Sequence, residues 1–394
     1  MKLEALLGLG VLLMSFVLIE PSPSDLAFAV LIPLGFLSSL DRLVLQGKAA
    51  GIAYLLFAYL VITIPVILLA ENQIASLRYH LITSYLVVFS LFLCTWIREE
   101  HFILLVRCFL AAGLISFLAG FLGWLGLQPQ LLMDDEFRVK GLFKDPNVFG
   151  PFFVPAILLL ISDLRQRKIL PAPAFFHAIL ILLLTLGVIS SYSRAAWLNL
   201  GVGTAVLVFL QYRSLGRLQP GPAHLRFKIP AILMVTFLLL AGLFSSPLMR
   251  DTGIPEFLQE RAQFQNYDTE RFLAQQGGLI LLWEHPFGIG PGQFKNQIDQ
   301  VTHFRIDAHS LYVRTMVESG LPGLLFFAAV LLLLQGLLSG HRSGVRPDNA
   351  VLFAILTGLL VNSIVVDTIH WRHFWFFFGL ALYQLNRPRR EIPI

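Results

Sequence analysis

The stretch D-A-H-S-L-Y-V-R-T-M-V-E-S-G-L-P-G (Asp307–Gly323) ends a polar segment and runs directly into an apolar one, Leu321–Leu338. The polar segment begins near Ser245, just after another apolar run, Ile229–Ser245. It contains most of the residues in the chain that are able to do chemistry. A polar insert between lipid-soluble segments predicts a membrane protein whose insert is its working part.

The rest of the chain is unusually apolar. Of its 394 residues, 56% are hydrophobic and 13% are charged, whereas about 25% charged residues is usual for a soluble domain. Apolar runs of roughly twenty residues recur, and each is long enough to cross a hydrocarbon core about 30 Å thick as a helix. We therefore predict an all-α polytopic membrane protein with about twelve spans. They lie near Leu3–Ile19, Leu26–Leu40, Ala50–Ala70, Tyr79–Ile97, Phe102–Leu127, Val148–Ser162, Ala174–Ser190, Ala195–Gln211, Ile229–Ser245, Leu321–Leu338, Ala350–Val366 and Trp371–Leu385.

The basic residues predict the orientation. With an even number of spans both termini lie on one side, and most Lys and Arg residues fall on that side, which indicates the cytoplasm. The chain is then a single integral membrane domain (1–394) whose insert, 246–320, is an extracytoplasmic catalytic loop. The Asp134–Asn147 loop and the Ser190–Arg194 and Asp367–Arg372 turns face outward with it. The apolar N-terminal run is interpreted as a retained first span.

Within the insert, Asp268–Trp283 has helical propensity and spaces apolar residues, such as Phe272 and Trp283, on one face. This helix is expected to lie along the bilayer surface. Gly288–Gly292 predicts a tight, non-helical turn. Asp307 or Ser310 is expected to cap the helix that becomes the tenth span.

His309 is the first candidate for catalysis. It lies in the insert just before a span, and a histidine of near-neutral pKa is able to accept a proton from an attacking hydroxyl. The alternative is an interfacial histidine bonded to the backbone. His303 is the nearby competitor, and His285 is interpreted as a turn residue before Pro286.

Arg194 and Arg271 are candidate diphosphate ligands. They face outward on separate elements, and a planar guanidinium binds two oxygens at once. The alternative for each is an arginine that only extends to the lipid headgroups. For Arg314, five residues after His309, that structural role is the favoured interpretation.

A third group is found in the loop Arg138–Asn147. Asp145 and Asn147 are typical of groups that bind sugar hydroxyls, and Lys144 is a candidate phosphate contact. The alternative is an ordinary polar loop in which Asn147 caps the next helix.

The sequence gives little support to a metal or nucleotide site. The Gly288–Gly292 run lacks the lysine of a phosphate-binding Walker loop, and no paired Cys/His spacing is present. The two cysteines, Cys94 and Cys108, lie in apolar spans, and no disulfide between them is expected.

Several stretches together resemble the O-antigen ligase and polymerase superfamily, the Wzy/WaaL-like membrane glycosyltransferases. Besides the opening stretch, they are G-L-F-K-D-P-N-V (Gly141–Val148), S-Y-S-R-A-A-W (Ser191–Trp197), T-E-R-F (Thr269–Phe272) and H-P-F-G-I-G-P-G-Q-F (His285–Phe294). Many relatives have asparagine directly after the histidine, where this chain has Ser310.

The resemblance implies a GT-C-like fold and a metal-independent, cofactor-free, inverting glycosyltransferase in the bacterial inner membrane, active at its periplasmic face. The donor would be an oligosaccharide on undecaprenyl diphosphate, and the acceptor a glycan or lipid A–core. His309 would activate the acceptor hydroxyl, while Arg194 and Arg271 would hold the diphosphate. A chain-length regulator or a flippase would be a partner, and nucleic acid would not.

The K-D-P-N-V stretch (Lys144–Val148) favours a polysaccharide repeat-unit polymerase, and three other functions remain open. Two belong to the same superfamily: an O-antigen ligase, and a third branch that transfers glycan to protein. A transporter or flippase is the rival from another class. Transporters place ionisable groups near the bilayer midplane, and Arg107 and His177 are nearly the only such candidates here.

Overall fold

The computed structural model describes residues 3–38, 44–215, 252–263, 265–302, 305–342 and 348–387. Within these ranges the chain is helical, and its only extended pairing is an isolated bridge between Met133 and Val139. The helices are α1 Leu3–Leu12 (continued by a 3-10 turn, Leu13–Ser15), α2 Pro23–Ser38, α3 Gly47–Leu69, α4 Gln73–Trp96, α5 Glu99–Trp124, α6 Pro129–Leu132, α7 Pro146–Gln166, α8 Ala174–Ser190, α9 Arg194–Leu215, α10 Ile254–Ala262, α11 Asn266–Glu284, α12 Phe294–Thr302, α13 Leu311–Ser319, α14 Gly323–Arg342, α15 Asp348–Asn362 and α16 Arg372–Asn386.

Many of these helices are suited to a membrane. In the described part of the chain, six are long and apolar enough to span one: α3, α4, α5, α7, α9 and α14. Four shorter apolar helices accompany them. Helices occupy every predicted span position except Ile229–Ser245, which lies outside the described residues. The protein is therefore a multi-pass membrane protein, while the number twelve stays a prediction.

The chain forms two compact units. The first contains Met1–Gly35 and Arg98–Gln263, and the second contains Phe36–Ile97 and Phe264–Ile394. In the first, α7 packs between α8 and α9, and phenylalanines such as Phe149, Phe152 and Phe153 are fully buried. In the second, α16 packs against α4 and α3. Each unit thus has its own apolar core.

Arg107 and His177, the two ionisable residues that the sequence places within spans, contribute to holding a loop of the first unit. Asp163 accepts backbone N–H groups from three successive loop residues (168–170) at 2.8–2.9 Å. His177 Nε2 lies 3.1 Å from Asp163 Oδ2. Arg107 donates to two carbonyl oxygens of the same loop, at 2.7 and 3.1 Å. Arg107 binds the α7–α8 loop directly and His177 binds Asp163, which holds that loop, so the contacts of both side chains are structural.

The glycine-rich motif of the second unit forms the predicted turn. Gly288, Gly290 and Gly292 all have positive φ, at 94°, 100° and 73°, which glycine adopts without steric cost. The turn pairs with the end of α13: Ile289 N donates to Val317 O at 3.1 Å, and Gly290 N donates to Glu318 O at 3.0 Å. The motif therefore has a structural role, and we call the turn formed by residues 288–292 the glycine hairpin.

The helix after His309 is separate from the following span. Ser310 caps α13 by accepting the N–H of Val313 at 3.5 Å, as predicted. However, α13 ends at Ser319, and residues 320–322 separate it from α14, which begins at Gly323. The expectation that the capped helix becomes the tenth span is wrong, because Gly320 at φ +63° breaks it.

We expect Gly320→Ala to destabilise the protein by about 1–3 kcal/mol, because φ is positive there and a Cβ would meet the backbone of the Pro286–Gly288 turn. Two further alanine variants separate the cost of a positive φ from the cost of the steric clash. Gly126→Ala has positive φ in open space, and Gly51→Ala lies in open helix. Thermal unfolding in detergent should rank Gly320→Ala lowest and Gly51→Ala at or above wild type. Equal melting temperatures for Gly320→Ala and Gly126→Ala would contradict the packing argument.

Candidate functional site

His309 occupies a fixed corner of the second unit. Its φ is +43°, a left-handed conformation that is uncommon outside glycine. Backbone and capping bonds hold the residues that follow. Ser310 caps α13, and Leu311 N donates to Ser363 O at 3.0 Å. The imidazole is half-buried and therefore projects from a well-defined backbone position.

Helix α11 contacts this corner and brings Arg271 toward it. Gln275 Nε2 donates to Ala308 O, directly before His309, and to Ile364 O, both at 3.4 Å. Arg271 precedes Gln275 by four residues, so both lie on one helix face with Cβ atoms about 5–6 Å apart. Arg271 is half-buried. Two of the three lead candidates thus belong to one neighbourhood.

The other face of α11 is exposed and apolar. Phe272, Leu279 and Trp283 are 41%, 61% and 88% exposed, while Ala274 and Leu281 pack into the core of the insert. The predicted helix and its apolar face are confirmed. Its placement along a bilayer surface stays a prediction, supported by this amphipathic arrangement.

Arg314 is the centre of a buried charge cluster. Its Nη1 donates to Tyr79 Oη at 2.8 Å, its Nε lies 3.2 Å from Asp367 Oδ2, and its Nη2 contacts Asp307 Oδ1. Only 9% of the residue is exposed. The interpretation of Arg314 as an arginine extending to headgroups is wrong. A buried guanidinium requires paired acids, and one of them, Asp367, comes from a turn remote in sequence.

Glu318 links α13 to the glycine hairpin. Its carboxylate accepts the N–H of Gly292 at 2.7 Å and that of Phe294 at 3.2 Å, at the positive N-terminus of α12. Burial raises the pKa of Glu318 to about 7, although Arg314 and the two N–H bonds oppose the rise. The hairpin therefore binds the protein's own carboxylate at the place where the sequence raised the question of a phosphate loop.

The Lys144 loop lies in the first unit, and its candidates have structural partners. Asp145 accepts the N–H of Asn147 at 2.7 Å and caps α7, so the expected cap by Asn147 is wrong. Lys144 Nζ lies 3.0 Å from Glu20 Oε2. Asn147 Oδ1 accepts from Arg138 at 3.5 Å. Lys144 and Asp145 are exposed, which leaves both accessible to a ligand.

Arg194 begins α9 and also belongs to the first unit. Its Nη1 donates to the carbonyl oxygen of Gln263, the residue directly after α10, at 2.9 Å. The guanidinium is half-buried. It therefore ties the start of α9 to the first helix of the insert.

Two further arginines lie in this unit beside Arg194. Arg138 pairs with Asp134 at 3.2 Å and donates to Ser191 O at 3.3 Å. Its pKa is lowered by burial and then by the positive charge of Arg261. Arg261 lies over the Phe257 ring at 5.5 Å. No motif in the sequence marked Arg261, because its proximity to Arg138 arises only when α10 folds back.

The candidates therefore divide between the two units. Lys144, Asp145, Asn147 and Arg194 belong to the first, and the second holds Arg271 and His309. His285 ends α11 as a turn residue, as expected, whereas His303 lies outside the described residues. That Arg194, Arg271 and His309 meet at one site stays a prediction.

We expect Arg314→Met to destabilise the second unit by about 3 kcal/mol, because it leaves Asp367 and Asp307 without their cation. The value is at the low end for a buried pair, since Asp307 is 36% exposed at its side chain. Adding Asp367→Asn should recover part of the loss. Arg305→Met, on the exposed part of the loop before α13, should change stability by less than about 0.5 kcal/mol. Similar melting temperatures for the two single variants would disprove the central role of Arg314.

Part of the sequence that contains these residues is similar to a known protein family. The model of the O-antigen ligase family matches residues 178–328, a segment that includes Arg194, Arg271, Arg314 and His309. A comparison with curated proteins found no match. The matched segment covers less than half of the chain, and the Lys144 loop lies outside it. Residues 178–328 are therefore similar to the O-antigen ligase family, which supports the resemblance to the O-antigen ligase and polymerase superfamily, a family of glycosyltransferase-type enzymes.

Proposed function

We propose that this protein transfers a glycan from undecaprenyl diphosphate to a sugar hydroxyl, as a polysaccharide repeat-unit polymerase. It would act at the periplasmic face of the bacterial inner membrane, with both termini in the cytoplasm. The observation that carries the proposal is the His309 corner. An imidazole projects there from a fixed backbone, beside the helix that carries Arg271.

The chemistry needs a base and a means of stabilising the leaving group. His309 takes the proton of the acceptor hydroxyl, and the hydroxyl oxygen attacks the anomeric carbon. The bond from that carbon to the diphosphate oxygen breaks, and the lipid diphosphate leaves with the electron pair. Attack from the opposite side inverts the anomeric carbon. The imidazolium then loses its proton to solvent.

The arginines stabilise the leaving group electrostatically. Charge develops on the leaving diphosphate, and guanidinium groups placed in advance stabilise it without reorganisation. Arg271 fills this role in the second unit and Arg194 in the first. Lys144, Asp145 and Asn147 are proposed to contact the phosphate or sugar portion of a substrate. None of these steps uses a metal, so EDTA should leave the rate unchanged.

We expect His309→Ala to lower the transfer rate by at least about 10²-fold, the usual contribution of a general base. His285→Ala is the matched control, because His285 is an exposed histidine of the same insert. Transfer measured with a lipid-linked repeat unit and purified protein should survive in the control only. Near-normal turnover by His309→Ala would remove it as the base.

Arg271→Lys should also lower the rate, by roughly tenfold or more, because lysine cannot reproduce a two-pronged contact with phosphate oxygens. Arg305→Lys serves as the control, since its side chain is exposed and bonds Asn296. If Arg271→Lys matches wild type in the same assay, the bidentate role at this position is excluded.

The competing function is an O-antigen ligase with lipid A–core as acceptor. The K-D-P-N-V sequence (Lys144–Val148) favours the polymerase, because it resembles exopolysaccharide polymerases more closely. Supplying the lipid-linked repeat unit alone should yield longer lipid-linked chains. Product that forms only after lipid A–core is added would establish the ligase instead.

A further inference from the structure

The first unit contains an apolar cavity of about 490 Å³. Phe117, Phe121 and Trp124 of α5 form one wall, and Leu183, Leu186 and Ile189 of α8 form another. The helices that enclose it are a candidate span, α5, and a shorter apolar helix, α8. A space lined in this way is suited to a hydrocarbon chain, whose burial there is favourable.

Aromatic side chains and α10 cover one end of this cavity. Phe137, Tyr192 and Ile254 line it. The Phe257 ring of α10 packs on Phe137 at 4.9 Å and on Tyr192 at 4.7 Å between ring centroids. Because Ile254 and Phe257 are on the same helix, α10 borders the cavity beside these aromatic rings.

Three guanidinium groups lie next to that aromatic cover. Arg138 stands between Phe137 and Val139, which both line the cavity. Arg261 follows Phe257 by one turn and lies over its ring. Arg194 comes two residues after Tyr192 and bonds the end of α10. An apolar cavity under clustered arginines matches an amphiphile with a strongly anionic head.

We propose that this cavity binds the isoprenoid segment next to the diphosphate of the lipid-linked donor, and that Arg261 and Arg138 join Arg194 at the diphosphate. The inference rests on the proposed function and adds a location for the lipid. The number of guanidinium groups favours a diphosphate over a phospholipid: Arg138, which pairs with Asp134, is accompanied by Arg261 and Arg194. Two adjacent phosphates engage such a group better than one.

The test measures binding to the full-length protein in detergent, with farnesyl diphosphate as the lipid probe and inorganic diphosphate as the headgroup probe. Leu186→Trp fills the cavity, so it should weaken farnesyl diphosphate about tenfold and leave inorganic diphosphate unchanged. Arg261→Gln removes a cation, so it should weaken both probes by about tenfold. A diazirine analogue of farnesyl diphosphate should crosslink to residues 117–124 and 183–190.

Two control variants match these changes. Leu122→Trp adds the same bulk to an exposed leucine of α5 that does not line the cavity, and Lys295→Gln removes an exposed cation from the insert. Both should bind both probes like wild type. Crosslinking of the wild-type protein decides the matter if Leu186→Trp does not fold.

Three results would overturn the inference. One is a Leu186→Trp variant that folds normally and binds farnesyl diphosphate as wild type does. Another is crosslinking outside the cavity walls. The third is displacement of the probe by phosphatidylglycerol as effectively as by a polyprenyl diphosphate. Because the readout is binding, its failure is distinguishable from failure of the proposed function. Wild-type protein without transferase activity but with the expected binding pattern would refute the transferase and retain the lipid site.

Discussion

The pairing of one buried cation with two acids organises the second unit around His309. Arg314 is almost entirely removed from water, which is costly for a guanidinium unless partners offset the lost hydration. Asp307, Asp367 and Tyr79 are those partners. Asp307 is two residues before His309, so the same interaction that stabilises the cation also holds one side of the His309 corner.

The glycine hairpin depends on the same cluster through Glu318. That carboxylate lies one turn after Arg314 on α13 and accepts two N–H groups from the start of α12. Hairpin, charge cluster and His309 corner therefore form a continuous set of contacts. The two separate motifs of the sequence, His285–Phe294 and Asp307–Gly323, thus satisfy each other's polar groups.

The first unit offers a different kind of chemistry. Arginines and aromatic rings gather at one end of an apolar cavity, whereas the second unit presents an imidazole on a rigid corner. Under the proposed function, the donor uses two features of the first unit: the apolar cavity for its chain and the neighbouring arginines for its diphosphate head.

The sequence by itself determined the helical membrane class, the glycine turn and the amphipathic α11, and it narrowed the cap of α13 to Asp307 or Ser310. It could do so because periodicity, glycine conformation and capping act over a few residues. It also singled out His309, Arg194 and Arg271, whose roles stay predictions. Only the tertiary structure decided that Arg314 is a buried cation, that Asp145 caps α7, and that Arg261 lies near Arg138. Those outcomes depend on partners such as Asp367 and Phe257, which are far away along the chain, and on the cost of burying charge. The cost of burying a charge depends on which helices pack together, so local sequence patterns do not reveal it.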